Sequence, residues 1–178
     1  MIKHFLFTSI LLGAILCQGQ SGLDVTFGNN GIKELVSPAS SNFMLTSVKS
    51  DVYGNLFACG TSGTAANNIQ VVAKTKANGE LDIDFGNMGY KTIDLGPYSF
   101  TSDLLLLPHG KLLLVANYAG SSKVGYRPIV RRLDAHGNVD SLFNPYVPLP
   151  FLRSEVQIRS AALTPRGQYL LAGYGIRE

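Results

Sequence analysis

The sequence predicts an all-β fold made of repeated four-stranded antiparallel sheets, and two observations support this. The segment LDIDFGNMGY at Leu81–Tyr90 occurs earlier as LDVTFGNNGI from Leu23 and again, degraded, as VDSLFNPYV from Val139. These copies begin 58 positions apart, and a fixed period of this size is typical of repeat architectures. Nineteen glycines, nine phenylalanines and eight tyrosines fit many short strands joined by tight turns.

Each repeat is predicted to hold about four strands and no helix. The repeated segment that begins at Leu23, Leu81 or Val139 is called the LD segment. The first strand follows it, at about Ile32–Val36 and Tyr90–Leu95. The second leads into a short turn, and the third leaves that turn as a continuous apolar run, as expected for a strand covered on both faces. The turns are at Tyr53-Gly54, His109-Gly110 and Arg166-Gly167, and the apolar runs begin at Leu56, Leu112 and Tyr169. The fourth strand is more charged and is placed at Ile69–Lys76 and Arg127–Asp134.

Differences between the copies predict the conformation of the turns. Pro108 and Pro165 each lie two positions before a glycine, and Pro second with Gly fourth suits a type I turn. Asn and His tolerate positive φ better than most residues, so exchanges among Gly, Asn and His predict left-handed positions. The exchanged sets are Gly28, Gly86 and Asn144 at one position, and Asn78 and His136 at another.

Four antiparallel strands per 58 residues predict one β-propeller blade per repeat, in a β-propeller-like stack. Repeats from about 23, 81 and 139 give about 2.7 blades, fewer than the four to eight of a closed ring. We therefore expect an incomplete ring: a truncated part of a longer protein, which we favour, or self-association of chains, or an open stack. Lys74, Lys76, Arg131 and Arg132 on the fourth strand are predicted to protect an outer edge. Three prolines, Pro145, Pro148 and Pro150, make the third LD segment a loop or an edge.

The N-terminal residues 1–19 have the pattern of a signal peptide, which leaves 20–178 as the partial propeller. Lys3 is followed by an apolar run from Phe5 to Leu16, which is too short to span a bilayer as a helix. Cys17 and Gly19 are small residues suited to a cleavage site. A lipid anchor at Cys17 is the rival interpretation, although Leu16 is large for the position before a lipidated cysteine. The chain is therefore expected to be exported, to the medium, the periplasm or the cell surface.

The repeat has a signature of three parts. Its residues are Leu81, Asp82, Phe85, Gly86 and Gly89, then Gly110, Lys111 and Leu112, then Arg132, Asp134, Gly137 and Asp140. With this signature the repeat resembles the delta-60 repeat of bacterial secreted β-propeller proteins. The resemblance covers nearly everything from Leu23 to Tyr174 and is weaker in the third copy. The resemblance implies a propeller scaffold in an exported chain and no catalytic activity tied to the repeat.

The acidic residues of the LD segments are the best-placed polar set. Asp82, Asp84 and Asn87 could offer oxygens to a calcium ion, but Asp84 has no acidic counterpart in the other copies. Asp24, Asp82 and Asp140 recur, and an Asp side chain can bond the backbone of its own turn. We therefore interpret the three recurring aspartates as turn caps and predict no metal site.

The remaining candidates also favour structural interpretations. His109 and His136 lie at turns without a Ser or Cys partner in any known motif, and Cys59 lies in an apolar strand as an inert thiol. Arg127, Arg131 and Arg132 could bind an anion, but salt bridges to turn aspartates are favoured. The tyrosines at strand ends could stack on a sugar, or be half-buried without a ligand. They are Tyr118, Tyr126, Tyr146 and Tyr174.

These observations predict an exported, non-catalytic propeller segment that serves as a scaffold or interaction module. A formal charge of +3, spread along the chain, gives no indication of nucleic-acid binding. No catalytic residue, cofactor or metal is predicted, and a protein or glycan partner is expected at loops at the blade ends. The alternative is the remnant of an extracellular propeller enzyme or lectin that acts on polysaccharide.

Overall fold

The computed structural model describes residues 22–64, 66–120, 125–145, 147 and 155–176. The protein is all-β: these residues form antiparallel sheets and no α-helix, and a three-residue 3-10-type turn at Pro108–Gly110 contains left-handed backbone angles. The predicted signal peptide and Cys17 lie outside the described residues. The chain divides into two compact units, residues 1–33 and 34–178.

The first unit contains one LD segment, the one that begins at Leu23. Its turn is closed by a hydrogen bond from the Phe27 N–H to the Asp24 carbonyl oxygen at 3.0 Å. Gly28 has φ 58°, so the predicted left-handed position is confirmed there and at Gly86, with φ 59°. Ile32 makes only an isolated bridge to Asn29.

The second unit contains three sheets among the described residues. Sheet 1 has the order β1-β2-β3-β4, with β1 at Phe43–Ser50, β2 at Leu56–Thr64, β3 at Asn67–Thr75 and β4 at Tyr90–Ile93. Sheet 2 has the order β5-β6-β7, with β5 at Phe100–Leu106, β6 at Leu112–Tyr118 and β7 at Arg127–Leu133. Sheet 3 pairs β8, Glu155–Leu163, with β9, Tyr169–Ile176.

Two apolar cores separate the sheets, and strand β6 contributes to both. Leu112 and Leu114 point into the core shared with sheet 1, where they join Phe57 and Phe85. The alternate residues Leu113 and Val115 point into the core shared with sheet 3, with Val156 and Ile158. All of these leucines and Val115 are fully buried, so the prediction that this continuous apolar run is covered on both faces is confirmed for β6.

Strand β9 begins at Tyr169 as predicted, but the expectation that it is covered on both faces is wrong. Leu170 is 59% exposed and Ile176 is 51% exposed, and only Leu171 along the strand is half-buried. The reason is that sheet 3 packs against sheet 2 on one side, while none of the described residues covers its other side.

The prediction that the charged fourth strand forms an outer edge is wrong for sheet 1. It is confirmed for sheet 2 of the described residues, where β7, with Arg131 and Arg132, is an edge strand. β3 lies between β2 and β4, so Lys74 is on an internal strand. The edge is β4, which comes from the LD segment of the following repeat and pairs through Tyr90 with Ala73. The predicted strand at Ile32–Val36, the counterpart of β4, is absent. β4 pairs with a strand of the preceding hairpin, and the described residues before Ile32 contain no hairpin with which this segment could pair.

The predicted turns are partly correct. At Thr164–Gly167 the Gly167 N–H bonds the Thr164 carbonyl oxygen at 2.9 Å, with no positive φ at Pro165 or Arg166, as a type I turn requires. At Pro108 the prediction is wrong: His109 has φ 62° and ψ 31°, and Gly110 has φ 71°. Two successive left-handed residues make a type I′ turn, which suits the twist of a hairpin.

The predicted left-handed positions at Asn78, His136 and Asn144 are also wrong. Positive φ falls instead on the glycines that follow the first two, Gly79 at 84° and Gly137 at 83°. Their N–H groups close the turns by bonding the carbonyl oxygens three residues back, at 2.9 and 3.1 Å. The left-handed residue of each turn is therefore the glycine, which adopts positive φ without steric cost, and the residue before it keeps a negative φ. Most of the proline-rich third LD segment lies outside the described residues.

Candidate functional site

A β-bulge interrupts the first strand of every described sheet. The register shifts between Leu45 and Ser47 in β1, between Thr101 and Asp103 in β5, and between Ile158 and Ser160 in β8. The residues that follow the three bulges, Ser47, Asp103 and Ser160, are 56 and 57 positions apart. Because a bulge redirects the side chains beside it, these three residues meet where the first strands lie together.

Asp103 is the centre of this meeting point, and its side chain is bound from all three sheets. Its Oδ1 accepts hydrogen bonds from the Ser47 hydroxyl and the Leu104 N–H, both at 2.8 Å, and lies 3.1 Å from Lys49 Nζ. Its Oδ2 accepts from the Ala161 N–H at 2.9 Å and from the Ser160 hydroxyl at 3.3 Å. The residue is 5% exposed. Burial alone would raise the pKa of this carboxyl, but these bonds lower it below its usual value.

A second polar contact recurs at each junction between sheets. From sheet 2, the Thr101 N–H donates to the Thr61 hydroxyl at 2.9 Å. From sheet 3, the Ile158 N–H donates to Asn117 Oδ1 at 2.8 Å, and the Asn117 amide returns a bond to the Ile158 carbonyl at 2.9 Å. Thr61 and Asn117 are 56 positions apart, so each junction is closed by the same strand position.

The two ends of the sheets differ in what they present. The end that carries the β1–β2 and β5–β6 turns is called the turn end here. The end where β1 and β5 begin, with the β2–β3 hairpin, is called the loop end. A groove is present between sheets 1 and 2 at each end.

The loop-end groove has a volume of about 330 Å³ and combines aromatic with neutral polar side chains. The aromatic residues are Tyr98, Phe100 and Tyr126, and the polar ones are Asn42, Thr61, Thr64, Asn68 and Ser99. The Phe100 and Tyr126 rings pack edge to face, with centroids 5.2 Å apart.

Ser99 anchors the floor of the loop-end groove. Its side chain is fully buried, and its hydroxyl lies 3.1 Å from Asn68 Oδ1 and 2.6 Å from the Gly96 carbonyl oxygen. The Gln70 amide donates to the same hydroxyl at 2.9 Å, and the Asn68 amide donates to the Ser99 carbonyl. This network fixes the segment that carries Tyr98 and Phe100.

The turn-end groove is larger, about 630 Å³, and more apolar. Phe57, Leu106 and Leu112 line it, together with the residues of the two turns. Val52 and Tyr53 at its rim are 93% and 80% exposed. His109 also lines this groove and is exposed at its turn, as predicted.

The three LD aspartates cap their turns as predicted. Asp24, Asp82 and Asp140 each accept a hydrogen bond from the backbone N–H two residues on, at 3.0, 3.3 and 3.1 Å. Asp140 lies 2.7 Å from a nitrogen of Arg132, so the predicted salt bridge to a turn aspartate is confirmed for Arg132. Asp82 lies 2.7 Å from Lys74 Nζ, a pair that was not predicted. Hydrogen bonds from Lys74 and Arg132 lower the pKa of the respective carboxyls.

The other predicted candidates are placed apart from one another. Cys59 is a free, fully buried thiol, and burial raises its pKa to about 12, which agrees with the inert thiol predicted. Tyr126 lines the loop-end groove, whereas Tyr118 packs against the first core and Tyr174 lies beneath Arg159. Tyr146 is outside the described residues. Within the described part of the chain, no three His, Cys, Asp or Glu side chains cluster closely enough to hold a metal ion.

The comparisons with known proteins give no relative. No protein-family model, curated protein or solved structure matches the chain. Among the residues that the structure describes, no helix is long and apolar enough to cross a membrane.

Asp103, Asn117 and Ser99 are the polar residues that the sequence analysis missed. A signal was available for two of them: Asp103 lies within β5 directly before its leucine run, and Asn117 interrupts the apolar run of β6. A polar residue inside an apolar strand is rarely buried unless it is paired. Their hydrogen-bond partners Ala161 and Ile158 lie in a neighbouring sheet, more than 40 positions away in the sequence, and so could not be identified from the sequence alone.

Proposed function

We propose that the chain is an exported, non-catalytic β-propeller repeat segment that serves as a scaffold or interaction module. The observation that carries the proposal is the recurring junction between neighbouring sheets. At both junctions the same strand position, Thr61 or Asn117, binds the backbone of the next sheet's first strand, at 2.9 and 2.8 Å. A regular junction of this kind is what a stack of blades needs to hold its loops at fixed distances.

The LD segments support the same proposal, because they too join neighbouring sheets. Phe85 from the LD turn beside sheet 1 is 1% exposed in the first core, and the Gly86 N–H donates to the His136 carbonyl of the turn after sheet 2 at 2.7 Å. In the third copy Phe143 takes part in the second core, with Arg132 4.6 Å from its ring. The motif that resembles the delta-60 repeat therefore has an architectural use at both junctions.

Three acidic side chains, at two LD turns and at the sheet junctions, support a non-catalytic role because they are engaged within the fold. Asp82 and Asp140 are each bound to a cation and to their own turn, and Asp103 is bound from three sheets. A general acid or base needs a carboxyl that is open to a substrate. Export is proposed from the apolar run at Phe5–Leu16 after Lys3.

The test is to measure turnover by the purified chain on a set of extracellular polysaccharides. A scaffold or interaction module releases no products above the protein-free background, and Asp82→Asn and His109→Ala variants behave as the wild type does. Turnover that is present in the wild type and lost in either variant would contradict the proposal. It would favour the alternative, the remnant of an extracellular propeller enzyme that acts on polysaccharide.

A further inference from the structure

We infer that the loop-end groove between sheets 1 and 2 binds a short, uncharged carbohydrate chain. This inference rests on the proposed role as a non-catalytic interaction module and assigns it a ligand class and a site. Four features support it: the chemistry of the groove, its rigidity, one strained residue and the position of the groove in the fold.

The chemistry of the lining matches a sugar. Tyr98, Phe100 and Tyr126 provide aromatic surface, and Asn42 and Thr64 provide an amide and a hydroxyl. A pyranose ring has C–H faces that pack on aromatic rings and hydroxyls that exchange hydrogen bonds with neutral polar groups. None of the lining residues that the structure describes is an Asp, Glu, Lys, Arg or His. The described lining is therefore uncharged, and the guanidinium of Arg159, which is not part of it, lies 5.8 Å from the centre of the Phe100 ring.

The groove is held in shape before any ligand binds. Ser99 is fully buried and is bonded to Asn68, to Gln70 and to the Gly96 carbonyl, all within sheet 1 and the segment that follows it. Phe100 is fixed against Tyr126 by edge-to-face packing at 5.2 Å. A preformed site loses less conformational entropy on binding, which matters for weakly bound ligands such as short saccharides.

Tyr98 carries backbone strain that the fold maintains. It has φ 55°, a region that is costly for a bulky residue and is usually filled by glycine or asparagine. The residue two positions before it, Gly96, also has positive φ, at 90°. Strain of this kind persists at sites where a side chain must be presented in a set direction. Among the described non-glycine residues with positive φ, which are Asn30, Met88, Tyr98 and His109, Tyr98 is the one that lines the loop-end groove.

The position of the groove favours a sugar over an extended peptide. Peptides that bind sheets usually add a strand along an exposed edge and use its backbone hydrogen bonds. The loop-end groove lies at the ends of strands, between Met44 of β1 and Phe100 of β5, and offers mainly side chains. Its 330 Å³ falls at the lower end of the range of about 300–1,000 Å³ that is usual for small-ligand sites.

The experiment is isothermal titration of the purified full chain with neutral tetrasaccharides of glucose, xylose, mannose and galactose. Tetragalacturonate, a sulphated disaccharide and an uncharged aromatic-containing peptide are the comparison ligands. Three groove variants are measured, Tyr98→Gly, Tyr126→Ala and Thr64→Ala. The matched control is Tyr53→Ala, which removes an 80% exposed tyrosine at the turn end.

We expect at least one neutral tetrasaccharide to bind and the comparison ligands not to bind. Tyr126→Ala should weaken binding about three- to tenfold, as the loss of one aromatic contact does. Tyr98→Gly should weaken it by a similar factor while the unfolding temperature is kept or raised, because glycine relieves the strain at φ 55°. Tyr53→Ala should bind as the wild type does.

Three results would overturn the inference. They are no binding of any neutral tetrasaccharide, binding that is unchanged in both Tyr98→Gly and Tyr126→Ala, and binding only of the charged sugars or the peptide. If Tyr126→Ala unfolds, Tyr98→Gly and Thr64→Ala decide the outcome. Product release measured in the same samples tests the proposed function separately: failure to bind leaves a non-catalytic scaffold standing, whereas turnover contradicts it.

Discussion

Replacing Asp103 by asparagine tests whether one ionised carboxylate holds three sheets together. The asparagine side chain keeps one acceptor oxygen, but its amide faces donors where Oδ2 accepts from the Ala161 N–H at 2.9 Å and the Ser160 hydroxyl at 3.3 Å. If the amide turned over, it would face the Ser47 hydroxyl and the Leu104 N–H instead. In either orientation a backbone N–H loses its acceptor, the part-buried one of Ala161 or the buried one of Leu104.

The expected loss of unfolding free energy is about 3 kcal/mol. An unsatisfied buried N–H costs about 1–3 kcal/mol, and a lost bond to a charged group about 1.5–3 kcal/mol, with part of the cost shared between them. Lys49 is 37% exposed, so its ion pair contributes less than about 1 kcal/mol. For a chain of this size, a loss of about 3 kcal/mol lowers the unfolding temperature by about 6–12 °C.

Urea unfolding, followed by circular dichroism from neutral to acidic pH, measures this contribution. In the folded protein the hydrogen bonds hold the pKa of Asp103 below its usual value despite burial. A lowered pKa contributes stability above the unfolded pKa of about 3.9, and this stability is lost as the pH falls through the folded pKa. The difference between wild type and Asp103→Asn should therefore be full at pH 7 and should shrink below about pH 4.

The control is Asp84→Asn, which changes an exposed carboxylate on the LD turn and should shift stability by less than about 0.5 kcal/mol. The reasoning is refuted if Asp103→Asn is as stable as the wild type at pH 7. It is also refuted if the difference between the two proteins does not change with pH.

Four further predictions follow from the junctions and from the buried strands. Asn117→Ala should cost about 2–4 kcal/mol, because it leaves the buried Ile158 N–H and carbonyl unpaired, and urea midpoints at constant m-value would measure it. Phe85→Ala should cost about 3–5 kcal/mol by opening a cavity in the first core, and a loss below about 1 kcal/mol in thermal unfolding would contradict its place there. The Cys59 thiol, with its pKa raised to about 12, should not react with a disulphide reagent at pH 8 in the native state and should react fully in urea. The purified chain should self-associate through exposed apolar residues of β1 and β9, such as Val48 at 60% and Leu170 at 59%, and light scattering that shows a stable monomer would contradict this.

Much of the strand pattern could be predicted because its causes are local. The apolar runs at Leu56, Leu112 and Tyr169 begin strands, and the glycines at 28 and 86 adopt positive φ, because hydrophobicity and turn sterics are read from a few neighbouring residues. Strand order could not be obtained in this way. That β4 pairs with β3, or that β9 is open on one side, depends on which segments lie beside them in space.

The junction residues show the same limit more sharply. The sequence analysis followed residues that recur in type, such as Asp24, Asp82 and Asp140, and these proved to be turn caps. At the junctions the position recurs while the residue changes: Ser47 is matched by Asp103, and Thr61 by Asn117. The physical requirement is for a polar group beside a bulge, and several side chains meet it. A comparison of residue identities between the copies does not detect such positions.

The origin of β4 has a consequence for how the chain could gain or lose a repeat. The strand that completes sheet 1 lies after Leu81, in the second sequence copy, whereas β1 to β3 lie in the first. The boundaries of the sequence copies therefore do not coincide with those of the sheets. Removing residues 81–138 would join β3 to the segment VDSLFNPYV, in which Pro145 lacks the N–H that a ladder needs. Sheet 1 would then lose its fourth strand although every remaining sheet residue was unchanged. Duplicating the same residues would instead give the added hairpin a proline-free strand to pair with. For this chain, lengthening by one copy is therefore structurally easier than shortening by one.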